Sequence, residues 1–221
     1  MNNFDLLSKD ILIELAIELN LPDIVNWCSL NKKFDNLTCK NDIFWRRKFI
    51  HDYGEYPKNS DLTWREFYKF ITVAKPNDLL WKGVEENVLS YVVVALKRGA
   101  DINRRRNYDS PLSTASKYGY LEVVKYLVEQ GSYVRVSNDE ALRFASFNGH
   151  LEIVKYLVEQ GADVRADNNY ALRSASIKGH LEVVKYLVEQ GANVHARNDE
   201  ALFWAKRNEH FEVVKYLESL P

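Results

Sequence analysis

Three histidines recur at a fixed interval of 30 residues, at His150, His180 and His210. Histidine is the commonest metal ligand, so a regular row of imidazoles is the first candidate for chemistry in this chain. Equivalent atoms of stacked helical units lie roughly 10 Å apart, whereas zinc holds its ligands at about 2 Å. The spacing therefore excludes a shared metal ion and predicts a structural histidine in each of three turns.

No other arrangement of reactive residues predicts catalysis or a cofactor. A glutamate follows each of the three histidines by two residues, but the chain lacks the Pro-Cys-x-x-Cys that a zinc deaminase requires. A P-loop, a nucleotide-binding glycine fingerprint and a nucleophile elbow are also absent from the sequence. We therefore predict that the protein is not an enzyme, holds no metal and binds no cofactor.

Charge and cysteine content limit which partners and which cellular compartment the sequence predicts. The formal net charge of −1 gives no general attraction to nucleic acid or to an anionic membrane. The first residues lack the pattern of a signal peptide, and no apolar run approaches 18 residues, so we expect no membrane span. Cys28 and Cys39 alone make a poor disulfide framework and no zinc site. These features favour a reducing compartment, and we predict the cytoplasm, with the nucleus left open.

The histidines belong to a longer repeat. The segment 121–131, Leu-Glu-Val-Val-Lys-Tyr-Leu-Val-Glu-Gln-Gly, returns unchanged at 181–191 and with one substitution at 151–161, and a fourth copy starts at Phe211. Its apolar residues follow helical spacing, and a glycine at the end suits a left-handed helix stop. A shorter helix rich in Ala and Ser precedes each copy. The chain therefore predicts stacked helix pairs, which share a core because one pair cannot bury its own apolar face.

These features resemble the ankyrin-repeat family, most clearly in Gly-His-Leu-Glu-Val-Val-Lys-Tyr-Leu-Val-Glu-Gln-Gly-Ala-Asn-Val at 179–194. The resemblance covers roughly residues 78–221 and implies a solenoid of about five helix pairs. The later repeats are about three residues shorter than the usual 33, so we expect short finger loops. The predicted repeats are approximately 79–109, 110–139, 140–169, 170–199 and 200–221.

The first 73 residues predict a separate helical domain. Apolar stripes indicate three short helices, in which a Leu-Pro-Asp-Ile segment at 21–24 and an Asp-Ile-Phe-Trp segment at 42–45 occur in the order that the F-box family shows. A later segment rich in aromatic residues, 62–70, resembles the helical tail of many F-box proteins. We therefore assign 1–73 to an F-box and its tail, 74–78 to a linker and 79–221 to repeats. The predicted fold class is all-α.

The F-box resemblance implies a set of apolar positions that contribute either to the domain core or to the groove of the adaptor Skp1. Ser8 stands where the family usually has proline. The implied Skp1-binding residues are Leu7, Ser8, Ile11, Leu12, Leu21, Pro22, Ile24, Val25, Leu30 and Phe34.

A second candidate surface follows from variation between the repeats. The two residues before each turn differ from copy to copy while the surrounding residues stay fixed, so packing does not dictate them. In ankyrin proteins this row lines the concave binding surface, and an acidic or amide residue at the finger position accompanies it. The predicted substrate-binding residues are Asp109, Lys117, Tyr118, Asp139, Phe147, Asn148, Asn169, Ile177, Lys178, Asp199, Arg207 and Asn208.

Together the two resemblances imply a substrate-recognition adaptor of a Skp1-cullin-F-box ubiquitin ligase. Its F-box is expected to dock on Skp1, and through it on a cullin-RING ligase, while the repeats hold a protein substrate. The combination is similar to F-box/ankyrin proteins encoded by large DNA viruses. The rival hypothesis is a plain ankyrin scaffold or inhibitor that masks a protein partner, and Ser8 favours it. Either protein is expected to be a monomer on its own.

Overall fold

A computed structural model describes residues 9–30, 34–56 and 61–221. Regular structure in these residues is helical, and Arg106 and Asp109 form one antiparallel bridge. The all-α prediction is confirmed for this part of the chain. The chain divides into two compact units, Met1–Ala100 and Asp101–Pro221.

The N-terminal unit begins with short helices around an aromatic core. Trp45, Phe49 and Phe67 are completely buried, and the indole Nε1 of Trp45 donates a hydrogen bond to the carbonyl of Cys39 at 3.2 Å. The elements are α1 (Lys9–Glu18), α2 (Leu21–Leu30), a π-helical turn (Asp35–Cys39), α3 (Asp42–Tyr53) and α4 (Trp64–Val73).

Cys28 and Cys39 form a disulfide that joins α2 to the π-helical turn, with Cα atoms 6.2 Å apart. The interpretation of these residues as a poor disulfide framework is therefore wrong. The two residues are 11 positions apart in sequence, and their Cα separation lies within the range that a disulfide can bridge. The disulfide also removes the support that two free thiols gave to a reducing compartment.

Two further helices, α5 (Pro76–Glu85) and α6 (Leu89–Lys97), complete the N-terminal unit. They pack closely because Gly83 has no side chain: a Cβ there would lie 2.8 Å from the backbone nitrogen of Val92. The guanidinium of Arg98 donates to the carbonyls of Ile71 and Ala74 at 2.5 and 2.7 Å, which fixes α6 against the end of α4. The sequence assigns α5 and α6 to the first repeat, and in the structure they pack within the unit that contains α3 and α4.

The C-terminal unit consists of four helix pairs. Each pair has an inner helix that packs on the inner helix of the next pair. Its outer helix carries Leu-Glu-Val-Val-Lys-Tyr-Leu, with Ile153 replacing Val in one copy and Phe211 replacing Leu in another. The pairs are α7 (Pro111–Tyr118) with α8 (Leu121–Glu129), α9 (Val136–Phe147) with α10 (Leu151–Glu159), α11 (Ala166–Lys178) with α12 (Leu181–Glu189), and α13 (Ala196–Arg207) with α14 (Phe211–Glu218).

The repeated residues form the core of this unit in layers. Leu112, Leu142 and Leu172 occupy the same position in successive inner helices and are at most 1% exposed. Ala residues three positions later are fully buried, so neighbouring inner helices approach closely. The outer helices end as predicted: Gly131 has φ +92°, and the amide of Ser132 donates to the carbonyl of Leu127 at 2.9 Å, which is the Schellman pattern.

Helices α9, α11 and α13 each include, near the start, a left-handed turn that interrupts the regular helix. Ser137, Asn138 and Asp139 all have positive φ, between 52° and 58°, and residues 167–169 and 197–199 repeat this conformation. Asn and Asp adopt the left-handed region more readily than other non-glycine residues, and they fill most of these positions.

Candidate functional site

Each predicted turn histidine forms a hydrogen bond to the neighbouring repeat. The Nε2 atoms of His150, His180 and His210 lie 3.1, 3.1 and 2.9 Å from carbonyl oxygens 33 residues earlier, at Lys117, Phe147 and Ile177 respectively. Because a carbonyl oxygen only accepts, Nε2 carries the proton and donates it. The imidazoles therefore have a structural role in the turns.

The turn glycines give the imidazoles room. A Cβ on Gly149 would lie 2.6 Å from the Nδ1 atom of His180, and a Cβ on Gly179 would lie 2.5 Å from that of His210. Both glycines have positive φ. Burial lowers the pKa of His180, and the hydrogen bond to Phe147 opposes that effect. The histidine is thus held in an environment that favours its neutral form.

Two of the predicted finger residues hold the loops together. The Oδ1 atom of Asp139 accepts a hydrogen bond from the amide of Asp163 at 3.1 Å, and Oδ1 of Asn169 accepts one from the amide of Asn193 at 2.7 Å. Asp139 is 2% exposed and Asn169 is 7% exposed. Burial raises the pKa of Asp139. Side chains buried in this way have no surface to offer a partner, so neither residue belongs to the candidate surface. Asp109 is half-buried, and Asp199 is exposed and contacts His195.

The row before the turns is accessible. Tyr118 is 51% exposed and Phe147 is 36% exposed. Lys117 and Ile177 are half-buried, and Lys178, Asn148, Arg207 and Asn208 are exposed. We define these eight residues as the concave row. Because each comes from the end of one inner helix, the row runs across all four pairs of the C-terminal unit.

Aromatic residues earlier in the inner helices extend this surface. Phe144 and Tyr170 line a cavity of about 300 Å³ together with Lys117, Arg143, Phe147 and Asn148. The sequence reasoning missed Phe144, Tyr170 and Arg143. Phe144 varies between repeats, with Thr114, Ser174 and Trp204 at the equivalent positions. The same kind of variation that identified the concave row could therefore have identified Phe144.

Comparison with protein families accounts for most of the chain. A family model described as ankyrin repeats in three copies matches residues 80–168, and one described as ankyrin repeats in many copies matches residues 172–218. Residues 80–218 are therefore ankyrin repeats. No curated protein matches the chain.

Ankyrin repeats are a protein–protein interaction module, and proteins built from them are typically non-catalytic scaffolds. The matched range begins at residue 80, so α5 and α6 form an ankyrin helix pair although they belong to the N-terminal compact unit. No helix of residues 9–30, 34–56 and 61–221 is long and apolar enough to cross a membrane.

The predicted Skp1-binding residues divide between core and surface. Leu12, Ile24 and Phe34 are at most 3% exposed and form part of the core. Ile11 and Val25 are 49% and 47% exposed, Pro22 is exposed and Leu21 is half-buried. Leu7 and Ser8 lie outside the described residues, and Leu30 is described only as the last residue of α2.

The apolar face of α1 includes an exposed residue, Leu15, that is not among the predicted Skp1-binding residues. Leu15 is 44% exposed and lies one turn after Ile11 on the same face of α1. The two side chains therefore give α1 an exposed apolar stripe in addition to its buried one.

Proposed function

We propose that the chain is a two-part adaptor, in which the N-terminal F-box-like helices dock on Skp1 and the ankyrin repeats hold a protein substrate. Catalysis then belongs to the cullin-RING ligase and its conjugating enzyme, and this chain supplies proximity. The resemblance to F-box/ankyrin proteins of large DNA viruses makes a host ligase in the cytoplasm the expected target.

The observation that carries the proposal is the exposed apolar surface of α1 and α2. Ile11, Leu15 and Val25 are each more than two-fifths exposed, although Leu12 and Ile24 beside them are fully packed. Exposed apolar side chains on helices are suited to a partner with an apolar groove. The exposure of these three side chains is what suits α1 and α2 to contact with a second polypeptide.

A Skp1 pull-down tests this part of the proposal. Substitutions of Leu12 or Ile24 would disrupt the core, so the informative variants are Ile11→Asp with Leu15→Asp, and Val25→Asp. We expect wild-type protein to recover Skp1 and both variants to lose at least nine-tenths of it. Val73→Asp is the matched control because Val73 is 77% exposed on α4 of the same unit. Circular dichroism must show equal helix content in all four proteins.

The rival function, an ankyrin scaffold that masks a partner, is favoured by the disulfide between Cys28 and Cys39. Disulfides persist in oxidising compartments, whereas cytosolic thiols are mostly kept reduced. If wild-type protein recovers no Skp1 either with or without reductant, the ligase role is refuted and the scaffold remains.

A further inference from the structure

The concave row carries an excess of positive charge. Three of its eight residues, Lys117, Lys178 and Arg207, are basic and none is acidic, in a chain whose formal net charge is −1. Within residues 9–30, 34–56 and 61–221, no ion pair involves these three side chains. The charges are therefore available to a partner.

Aromatic rings position these cations. The Nζ atom of Lys178 lies 4.7 Å from the centre of the Phe147 ring, and Nζ of Lys117 lies 5.6 Å from the centre of the Phe144 ring. A cation over a ring at an exposed site is attracted to the face of the ring and keeps its charge. Such a contact orients the ammonium group without neutralising it.

Two carboxylates of the inner helices pair with arginines. Arg143 pairs with Asp167 at 3.2 Å, and Arg173 pairs with Glu200 at 2.7 Å. These pairs cancel locally, and Lys117, Lys178 and Arg207 are the charged side chains among the eight residues of the concave row. The surface thus combines unpaired cations with an aromatic cavity.

We propose that the concave row binds an acidic, extended segment of a protein partner, with one apolar side chain of that segment in the cavity beside Phe144. Carboxylates of the segment contact Lys117, Lys178 and Arg207. This inference rests on the proposed role of the repeats in holding a protein, and it specifies the chemistry of what they hold.

The spacing of the cations favours a peptide over a nucleic acid. Inner helices of adjacent pairs are roughly 10 Å apart, so Lys117 and Lys178 are separated by about 20 Å, and Lys178 and Arg207 by about 10 Å. Duplex DNA carries a charge about every 1.7 Å and is usually matched by a much denser basic array. An extended peptide advances about 3.3 Å per residue, so acidic residues about six and then three positions apart would meet all three cations.

A designed peptide tests the inference on the full chain. The probe is a fluorescein-labelled peptide of about twelve residues with three Glu at those intervals, one Phe between the first two, and Gly and Ser elsewhere. We expect fluorescence anisotropy to detect binding that weakens at least fivefold when NaCl rises from about 50 to 500 mM, because salt screens exposed charges. Replacing its Glu residues with Lys should abolish binding.

Two double variants distinguish binding by the concave row from a general effect of the net charge of the protein. Lys117→Glu with Lys178→Glu should weaken binding at least tenfold. The matched control is Lys155→Glu with Lys185→Glu, which makes the same change of charge on the outer helices α10 and α12 and should alter binding less than threefold. Equal loss in both variants would overturn the inference.

Other outcomes would also overturn it. If the acidic peptide fails to bind, the surface does not select acidic segments, although a neutral partner would still be compatible with the proposed function. If a single-stranded thymidine dodecamer binds more tightly than the peptide and loses binding in the Lys117→Glu, Lys178→Glu variant, the row binds a phosphate backbone instead. Photocrosslinking of a partner from position 147 distinguishes a failure of the peptide inference from a failure of the surface itself.

Discussion

The imidazole Nε2 of His180 donates a hydrogen bond to the main-chain carbonyl of Phe147, 3.1 Å away and 33 residues earlier in the chain. This bond joins the turn of one repeat to the end of the preceding inner helix. Because Phe147 belongs to the concave row, the same contact that stacks the repeats also fixes the backbone of the candidate binding surface. Repeat stability and surface geometry are therefore linked at this position.

The pH dependence of the free energy of unfolding should show the contribution of His180. Burial is the main cause of the lowered pKa of His180, whose ordinary value is 6.5. The unfolded chain therefore binds more protons than the folded chain between the two pKa values, and stability rises with pH there. The contribution of His180 is complete above about pH 6.5 and is lost as pH falls through the lowered pKa.

We expect the free energy of unfolding, measured with urea, to fall less between pH 7.5 and 5.5 in His180→Gln than in wild type. Glutamine keeps a donor for the Phe147 carbonyl but does not titrate. The comparison also subtracts His195, whose pKa is raised by hydrogen bonds to Pro221 and Asp199 and whose contribution has the opposite sign. An identical pH dependence in the two proteins would contradict the prediction.

Gly149→Ala should destabilise the repeats by about 2–4 kcal/mol. An alanine would have to adopt a left-handed backbone, which costs roughly 1–2 kcal/mol, and its Cβ would displace the His180 ring, at a cost typical of overpacking. Urea unfolding followed by circular dichroism measures the change. As a control, Ala145→Gly in the same inner helix should cost less, because it creates no clash, and equal costs would argue against the steric account.

Glu209→Gly is the reverse experiment. Glu209 occupies the turn position that glycine fills in the three repeats before it, and its φ is +59°. Glycine accepts this conformation without steric cost, so we expect the variant to gain about 0.5–1 kcal/mol. Glu209→Ala is the control that removes the charge but keeps the Cβ, and a gain of the same size there would show that charge, not backbone conformation, is responsible.

The sequence predicted the repeats well because periodicity reports burial. Leu112 and its equivalents, the helix-ending glycines and the turn histidines all recur at one interval, and each has the packing or backbone role that the pattern predicts. In α1, by contrast, Ile11, Leu12 and Leu15 are all apolar, and nothing in their types tells which faces the core. Only the packed structure separates the buried Leu12 from its two exposed neighbours.

The finger positions show a different limit. Asp139 and Asn169 are polar, and polar residues in loops are usually exposed. The left-handed turn places their side chains under the next loop, where each accepts a backbone hydrogen bond. Pairs of Asn and Asp at these positions were a signal for left-handed backbone, but the sequence alone does not reveal which donor they reach.

Asn169→Ala should therefore destabilise the repeats by about 2–4 kcal/mol. The substitution leaves the amide of Asn193 without its acceptor and puts alanine at φ +60°. Asn169→Asp is the matched control, because aspartate serves the same role at Asp139, and it should stay within about 1 kcal/mol of wild type. Thermal unfolding at neutral pH measures both, and a larger loss for the aspartate variant would contradict the assigned hydrogen bond.

The disulfide gives a prediction for the N-terminal unit alone. Its closed loop spans 11 positions, for which the chain-entropy estimate is about 2–3 kcal/mol. We expect iodoacetamide to label Cys28 and Cys39 only after reduction and denaturation, as read by intact mass.

The unfolding midpoint of the N-terminal unit can be followed through the core residue Trp45, in a background in which the other four tryptophans are replaced by phenylalanine. In this background, reductant should lower the midpoint of the protein that keeps both cysteines. The same background with Cys28→Ser and Cys39→Ser should have the lower midpoint already and ignore reductant. Labelling of both cysteines in folded, untreated protein would show that the pair is reduced, and it would restore the argument for a reducing compartment.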